Sequence, residues 1–150
     1  MSIFIVLLTL HICFAAALFG VPLGLVGSCR RAMALSQESF QHAATEAARK
    51  GKIAGIMAVL TLVSGLTLIM YKGGFALVSP NIHAAMSLML LHLLLSFLLM
   101  KPTGDKLVQA SQGEAVDTEL AEKSLKKLGM GSGILQLNWV IMLFLMNFSF

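Results

Sequence analysis

Four long stretches of apolar residues dominate the hydrophobic pattern of this chain. They cover about residues 3–27, 53–71, 82–100 and 130–150, and Asp, Glu, Lys and Arg are confined to the connections between them. A helix needs about 20 predominantly apolar residues to cross the hydrocarbon core of a bilayer. The pattern therefore predicts a single domain over residues 1–150 that contains four transmembrane helices.

The connections between these stretches determine how the helices are arranged. Because each connection is short, consecutive helices must run in opposite directions, which predicts an all-α antiparallel four-helix bundle. The first stretch is preceded by no Lys or Arg and is longer than the apolar region of about 7–15 residues in a secretory signal. We therefore interpret it as a retained helix.

The first charged connection contains a further helical segment. From Ser36 to Lys50 the residues are good helix formers, and Gly51 is placed to end a helix there. The stretch Lys101–Val116 contains Pro102 and two glycines, and it is predicted to be the most flexible part of the chain.

The second charged connection ends in another helical extension. Asp117 is predicted to cap it, and Leu120, Leu125 and Leu128 give it an apolar side. Two charge pairs have the favourable i,i+4 order, Glu119 with Lys123 and Glu122 with Lys126. The two extensions are predicted to continue the bundle just outside the membrane.

The composition excludes an ordinary soluble domain. Hydrophobic residues make up 57% of the chain, charged residues 12%, and the mean hydropathy is +0.86, whereas soluble domains contain about a quarter charged residues. A nucleic-acid-binding function is also not indicated, although the pI is about 9.3, because in a membrane protein the basic residues report orientation.

The basic residues predict that both termini face outward. Ten of the eleven Lys and Arg residues lie in the two connections 28–52 and 101–133, and only Lys72 lies in the link on the other side. By the positive-inside rule, the two basic connections are cytoplasmic.

Histidines are the candidate functional residues within the apolar stretches. His11, His83 and His92 lie in the predicted spans, which contain no carboxylate, lysine or arginine that could serve proton-coupled transport. Each histidine has three possible roles: a hydrogen bond to a neighbouring helix, ligation of a haem or metal, or contact with a quinone.

The depth of these histidines favours a haem between the first and third spans. His11 lies about 12 Å and His92 about 16 Å from the outer ends of their helices, so the two are nearly level. Two facing neutral imidazoles are an axial ligand set for a b-type haem. His83 lies nine residues before His92, on the opposite face of the helix, so only one of them can ligate the iron.

A copper site is not favoured. The chain has ten methionines, and thioethers bind Cu(I). However, the row His83, Met86, Met89 and His92 has a spacing of three residues and drifts around the helix, so only adjacent members share a face. Methionine is also a common packing residue in apolar helices.

The chain resembles a family of small four-helix haem-binding membrane proteins over nearly its whole length. His11, the small-residue segment from Ala16 to Pro22, and His83 at the start of the third span are similar to features of the bacterial haem-dependent protoporphyrinogen oxidases of the HemJ type. The copper-resistance D-like membrane proteins are more distant relatives of that family. The resemblance implies a location in the bacterial inner membrane and haem binding, with His83 as the ligand on the third helix.

Three departures from the family pattern concern its enzymatic activity. Phe14 replaces a tryptophan of the family, and Leu23 and Ala85 stand where the family has basic residues. These positions are plausible parts of a substrate site. Their loss argues against independent oxidase activity and leaves haem binding open.

These observations combine into one functional hypothesis and two alternatives. The chain is predicted to bind haem b through His11 and His92, with His83 as the alternative to His92, and to pass single electrons to or from a quinone or a partner protein. The first alternative is a non-catalytic accessory or scaffold subunit of a larger membrane complex or homo-oligomer. Oxidation of a porphyrinogen is the second.

Overall fold

Six α-helices make up the computed structural model, which describes residues 2–113 and 115–148. The chain is 88% helical, and this confirms the all-α prediction. The helices are α1 (Ile3–Gly20), α2 (Leu25–Leu35), α3 (Gln37–Tyr71), α4 (Pro80–Leu95), α5 (Lys101–Ser111) and α6 (Thr118–Asn147). A 3-10 turn covers Phe75–Leu77, and a π-helical turn covers Ser96–Met100.

Four helical runs are long and apolar enough to cross a membrane. They are Ile3–Leu35, Gln37–Tyr71, Pro80–Ser111 and Thr118–Asn147. The largest interfaces join α1 to α3 and α4 to α6, while α3 also packs against α4 and α5. The first two runs are antiparallel, since Phe4 at the start of α1 contacts Tyr71 at the end of α3, and the last two are antiparallel, since Asn81 at the start of α4 donates a hydrogen bond to the Phe148 carbonyl after α6.

The first run is broken at Pro22. α1 ends at Gly20 and α2 begins at Leu25, with Pro22 in the turn between them. Proline has no N–H for the helical ladder and clashes with the carbonyl of the preceding turn. Gly24 has a φ of 76°, a left-handed conformation that glycine adopts without steric cost.

The predicted helix in the first charged connection is confirmed, but its predicted end is wrong. Ser36 caps α3 by accepting a hydrogen bond from the Ser39 N–H at 3.1 Å. The helix then continues through Gly51 to Tyr71 instead of stopping at the glycine. A glycine inside a helix costs only about 1 kcal/mol relative to alanine, so packing on both sides of Gly51 outweighs it.

The predicted flexible stretch Lys101–Val116 is also largely helical. Pro102 lies in the first turn of α5, where a missing N–H is tolerated, and the π-helical turn Ser96–Met100 precedes it. Leu107 and Ala110 are buried on the inner side of α5, which gives the segment a reason to fold. The predicted flexibility rested on Pro102 and the two glycines alone, whereas the apolar face of α5 determines the structure.

The fourth run begins as predicted, but its charge pairs differ. The Asp117 side chain accepts a hydrogen bond from the Leu120 N–H at 3.0 Å, so the predicted cap is confirmed. Within residues 2–113 and 115–148, the ion pairs join Glu46 to Arg49 and Lys50, and the predicted pairs on α6 are not formed. The predicted fourth span reached residues 149 and 150, which lie outside the described residues.

Two separate clusters of buried residues hold the bundle together. The basic-end core lies among α2, the first half of α3, α5 and the start of α6, and it consists of Cys29, Phe40, Ala44, Ala47, Leu107, Ala110, Ala121, Leu125 and Leu128. The apolar-half core lies among α1, α3, α4 and α6, and it consists of Leu18, Ala58, Met89 and Met142. The candidate histidines belong to the apolar half.

Candidate functional site

His11 faces α3 and is held there by a serine. Its side chain is buried, with 8% of its surface exposed, and its Nδ1 lies 2.9 Å from Ser64 Oγ. Ser64 Oγ also lies 2.7 Å from the carbonyl oxygen of Leu60. Because a serine has one hydroxyl hydrogen, and because that hydrogen is donated to Leu60, we assign the His11 proton to Nδ1, which donates to Ser64. The Nε2 of His11 then keeps its lone pair.

Gly65 makes room for the imidazole of His11. A Cβ atom at this position would come within 3.1 Å of His11 Cε1 and 3.6 Å of Nδ1. Contacts this short are rarely tolerated without movement of one partner. The adjacent residues Ser64 and Gly65 therefore provide a hydrogen-bond acceptor and the space beside it.

His92 is buried on the inward face of α4. Only 4% of its surface is exposed, and it lies on the same face as the buried residues Ala85 and Met89. Its Nδ1 is enclosed and has no hydrogen-bond partner among the described residues. Buried polar atoms are nearly always paired, so an unpaired one calls for a specific explanation.

His83 lies on the outward side of α4. It is exposed, its Nδ1 lies 3.1 Å from the Ser79 carbonyl oxygen, and its ring is 6.0 Å from that of Phe75. The prediction that His83 and His92 occupy opposite faces of one helix is confirmed. His83 therefore does not share the inward face on which His92 lies.

His11 and His92 each share a helix face with a member of the apolar-half core. His11 is seven residues before Leu18 on one face of α1, and His92 is three residues after Met89 on one face of α4. Leu18 and Met89 belong to the same buried cluster. Among the described residues, no group of three or more His, Cys, Asp or Glu side chains could hold a metal ion.

Two interhelical hydrogen bonds near this core were not predicted. The Asn138 side chain donates to the Leu88 carbonyl oxygen at 3.1 Å, and Trp139 Nε1 donates to the Ala15 carbonyl oxygen at 3.0 Å. They tie α6 to α4 and to α1. The sequence offers one signal for them, the occurrence of Asn and Trp side by side in an apolar stretch, but it does not identify their partners.

Comparisons of this chain with protein-family models, with curated proteins and with solved structures found no match.

Proposed function

We propose that this chain holds one b-type haem between α1 and α4 and passes single electrons to or from a quinone or a partner protein. The observation that carries the proposal is the buried imidazole of His92, which lies on an inward face and whose Nδ1 has no hydrogen-bond partner among the described residues. His11 provides a second buried imidazole, on α1. No Asp, Glu, Lys or Arg lies between Ile3 and Gly27 or between Ile82 and Met100, so both imidazoles are in apolar surroundings.

The proposed location is the bacterial inner membrane, with both termini outside. Four helical runs of sufficient length and apolar character support a multi-pass protein. The concentration of ten basic residues in two connections supports a cytoplasmic position for the end of the bundle that contains the basic-end core. A periplasmic-type reporter fused after Phe150 should be active, and activity of a cytoplasmic-type reporter there would contradict the orientation.

The donor chemistry of the site fits a haem. Two neutral imidazoles, those of His11 and His92, would hold the haem iron, and the porphyrin would supply the remaining ligands, so no third protein ligand would be needed. Leu18 of α1, Met89 of α4 and Met142 of α6 belong to one buried cluster in this half of the bundle. Methionine is flexible and unbranched, so Met89 and Met142 are the side chains that binding would displace. The haem, when bound, supplies a one-electron iron couple.

The residues around His11 have a positioning role in this proposal. With the His11 proton assigned to Nδ1, the bond to Ser64 would fix this tautomer and leave Nε2 to hold the iron. Such outer-shell hydrogen bonds also orient the ring and raise the basicity of the ligand. Ser64 in turn is oriented by its own hydrogen bond to Leu60, so the imidazole is held before any ligand binds.

The test is a visible spectrum of the purified protein and of four single variants. His11→Ala and His92→Ala should each lose the sharp reduced α-band of a bis-histidine haem. His83→Ala should retain it, because that side chain is exposed on the outward face. His42→Ala, in the exposed part of α3 at the basic end, is the matched control and should also retain it.

Two results would overturn the proposal. If the wild-type protein stays colourless after expression with ample haem, the accessory-subunit hypothesis replaces it, and the bond from His11 to Ser64 is then only an interhelical contact. If His83→Ala loses the spectrum while His92→Ala keeps it, the site lies on the outward face of α4 and not between the helices.

A further inference from the structure

A groove of about 680 Å³ opens between α2 and α6 at the basic end of the bundle. Its charged lining consists of Arg30 from α2 and of Glu119, Glu122, Lys123 and Lys126 from α6. The volume lies in the range of about 300–1,000 Å³ that is usual for small-molecule sites. The haem proposal gives this groove no role.

The groove begins at the boundary between the apolar and the charged parts of the chain. Val26 lies 3.9 Å from the position of a Cβ on Gly129, so α2 and α6 are level at that point. Arg30 is four residues beyond Val26, and Lys126 is three residues before Gly129. Both cations therefore lie about 5–6 Å past the last apolar turn, at the depth of the lipid headgroups.

The charges along α6 change sign with distance from this boundary. Lys126 is nearest to it, whereas Glu122 and Glu119 are about 6 and 10.5 Å farther away along the helix. Within the described part of the chain, the ion pairs closer than 4.0 Å involve Glu46 on α3 and not these residues. The cations and carboxylates of the groove are therefore available to a ligand.

An apolar surface lies beneath the charged residues. Leu125 is fully buried under the groove, and Met33 of α2 is partly buried beside it. A ligand in this groove thus contacts apolar atoms at the base and charges of both signs along the sides. A purely anionic ligand would leave the two carboxylates of α6 unmatched and repelled.

We infer that the groove binds the headgroup of a membrane phospholipid that carries both a phosphate and a primary ammonium group, namely phosphatidylethanolamine. The phosphate, which is joined to the glycerol at the bilayer surface, meets Arg30 and Lys126. The ammonium group, two carbon atoms farther from the membrane, meets Glu122 and Glu119. Basic pockets between helices on the cytoplasmic side are established sites for lipid phosphates. The inference rests on the proposed membrane location and is independent of haem binding.

The test is retention of lipids by the purified full-length protein, measured by native mass spectrometry after titration with lipids of equal chain length. Wild-type protein should retain phosphatidylethanolamine in preference to phosphatidylcholine and phosphatidylglycerol. The double variant Arg30→Ala/Lys126→Ala should bind it roughly thirtyfold more weakly, since each surface cation contributes about a fivefold attraction. The double variant Glu119→Gln/Glu122→Gln should lose the preference over phosphatidylcholine and bind phosphatidylglycerol more tightly.

Matched controls separate the groove from general surface charge. Lys127 is exposed and adjacent in sequence to Lys126 but does not line the groove, so Lys127→Ala should retain the lipid preference. Glu38→Gln removes a carboxylate from the exposed side of α3 and should also leave the lipid preference unchanged. Circular dichroism checks that each variant is folded.

Three outcomes would overturn the inference. Tighter retention of phosphatidylglycerol than of phosphatidylethanolamine by wild-type protein would indicate a simple anion site. Equal retention of the ethanolamine and choline lipids would exclude a role for the carboxylates. Competition by water-soluble phosphoethanolamine at the same concentration as the lipid would show that the ligand is a soluble molecule. None of these readouts depends on the visible spectrum, so failure here and failure of the haem proposal are distinguishable.

Discussion

The two halves of this bundle are held together in different ways. At the basic end, nine buried side chains form one continuous apolar core, and Phe40, Ala44, Leu107 and Ala121 have no exposed surface. In the apolar half, four residues form the buried cluster. There, hydrogen bonds between helices supplement the packing: His11 to Ser64, and Asn138 and Trp139 to backbone carbonyls.

The proposed membrane location of the apolar half accounts for this difference. In water, burial of apolar surface drives helices together, at about 25 cal/mol per Å². In lipid that driving force is absent, and helices associate through close packing of small residues and through interhelical polar contacts. Large apolar side chains such as Ile12, Phe97 and Leu137 are accordingly exposed on the outside of the apolar half.

The largest effect is expected from loss of a side chain in the basic-end core. Phe40→Ala removes a ring with 0% exposure and should destabilise this end by about 3–5 kcal/mol. Cys29 lies in the same core, with its thiol 3.5 Å from the Ala43 carbonyl oxygen. Cys13 is exposed and would also react, so it is replaced by Ser in all the proteins compared. In this background, Phe40→Ala should raise the rate at which a maleimide labels Cys29 about a hundredfold or more.

The control for Phe40 is a phenylalanine from the other half. Phe97 is 61% exposed on the apolar surface, so Phe97→Ala should leave the labelling of Cys29 within about twofold of wild type. An equally large increase with Phe97→Ala would show that the two halves open as one unit, contrary to the comparison above.

The second effect concerns the packing of α1 against α3 in the apolar half. Gly65→Ala places a methyl group 3.1 Å from His11 Cε1 and should cost about 1–3 kcal/mol through overpacking. Gly55→Ala, on the same helix with nothing within 4 Å of its Cβ, should be neutral or stabilise the protein by up to about 1 kcal/mol. Thermal unfolding in detergent, followed by circular dichroism, measures both variants. Equal unfolding temperatures for Gly65→Ala and Gly55→Ala would mean that His11 can move freely in its site.

The third effect isolates one interhelical hydrogen bond. Asn138 donates from α6 to Leu88 of α4, whereas Asn147 donates to Leu143 within its own helix. Asn138→Ala should destabilise the apolar half by about 0.6 kcal/mol, the usual size of such bonds in membranes. Asn147→Ala should have no measurable effect. A loss from Asn147 as large as that from Asn138 would contradict the role assigned to bonds between helices.

The positions of the apolar helices could be predicted from the sequence, whereas most contacts between them could not. Runs of apolar residues identify spans because length and hydropathy are properties of each segment alone. The cap at Asp117 could likewise be inferred, since its partner lies three residues away. Gly51 and Pro102 misled the prediction, because packing against other helices outweighed a local preference.

The candidate site shows the same limit. The opposite faces of His83 and His92 follow from helical periodicity, and the structure has one exposed and one buried. The bond from His11 to Ser64 joins residues far apart in the sequence, and no local pattern in a single sequence reports such a pairing.

The smallest effect is expected at the surface of the basic end, where the described ion pairs lie. Arg49 donates two hydrogen bonds to the Glu46 carboxylate, at 2.8 and 2.9 Å. This contact, which lies outside the apolar part of α3, lowers the pKa of Glu46 from its ordinary value of 4.5. A carboxyl whose pKa is lower in the folded state stabilises the protein above the ordinary pKa, and that contribution is lost as the pH falls through the lowered value.

Exposed ion pairs contribute little to stability, so Glu46→Gln should slightly increase Cys29 labelling at neutral pH, and the difference from wild type should vanish in acid. A difference that persists in acid would mean that Glu46 acts through packing and not through its charge.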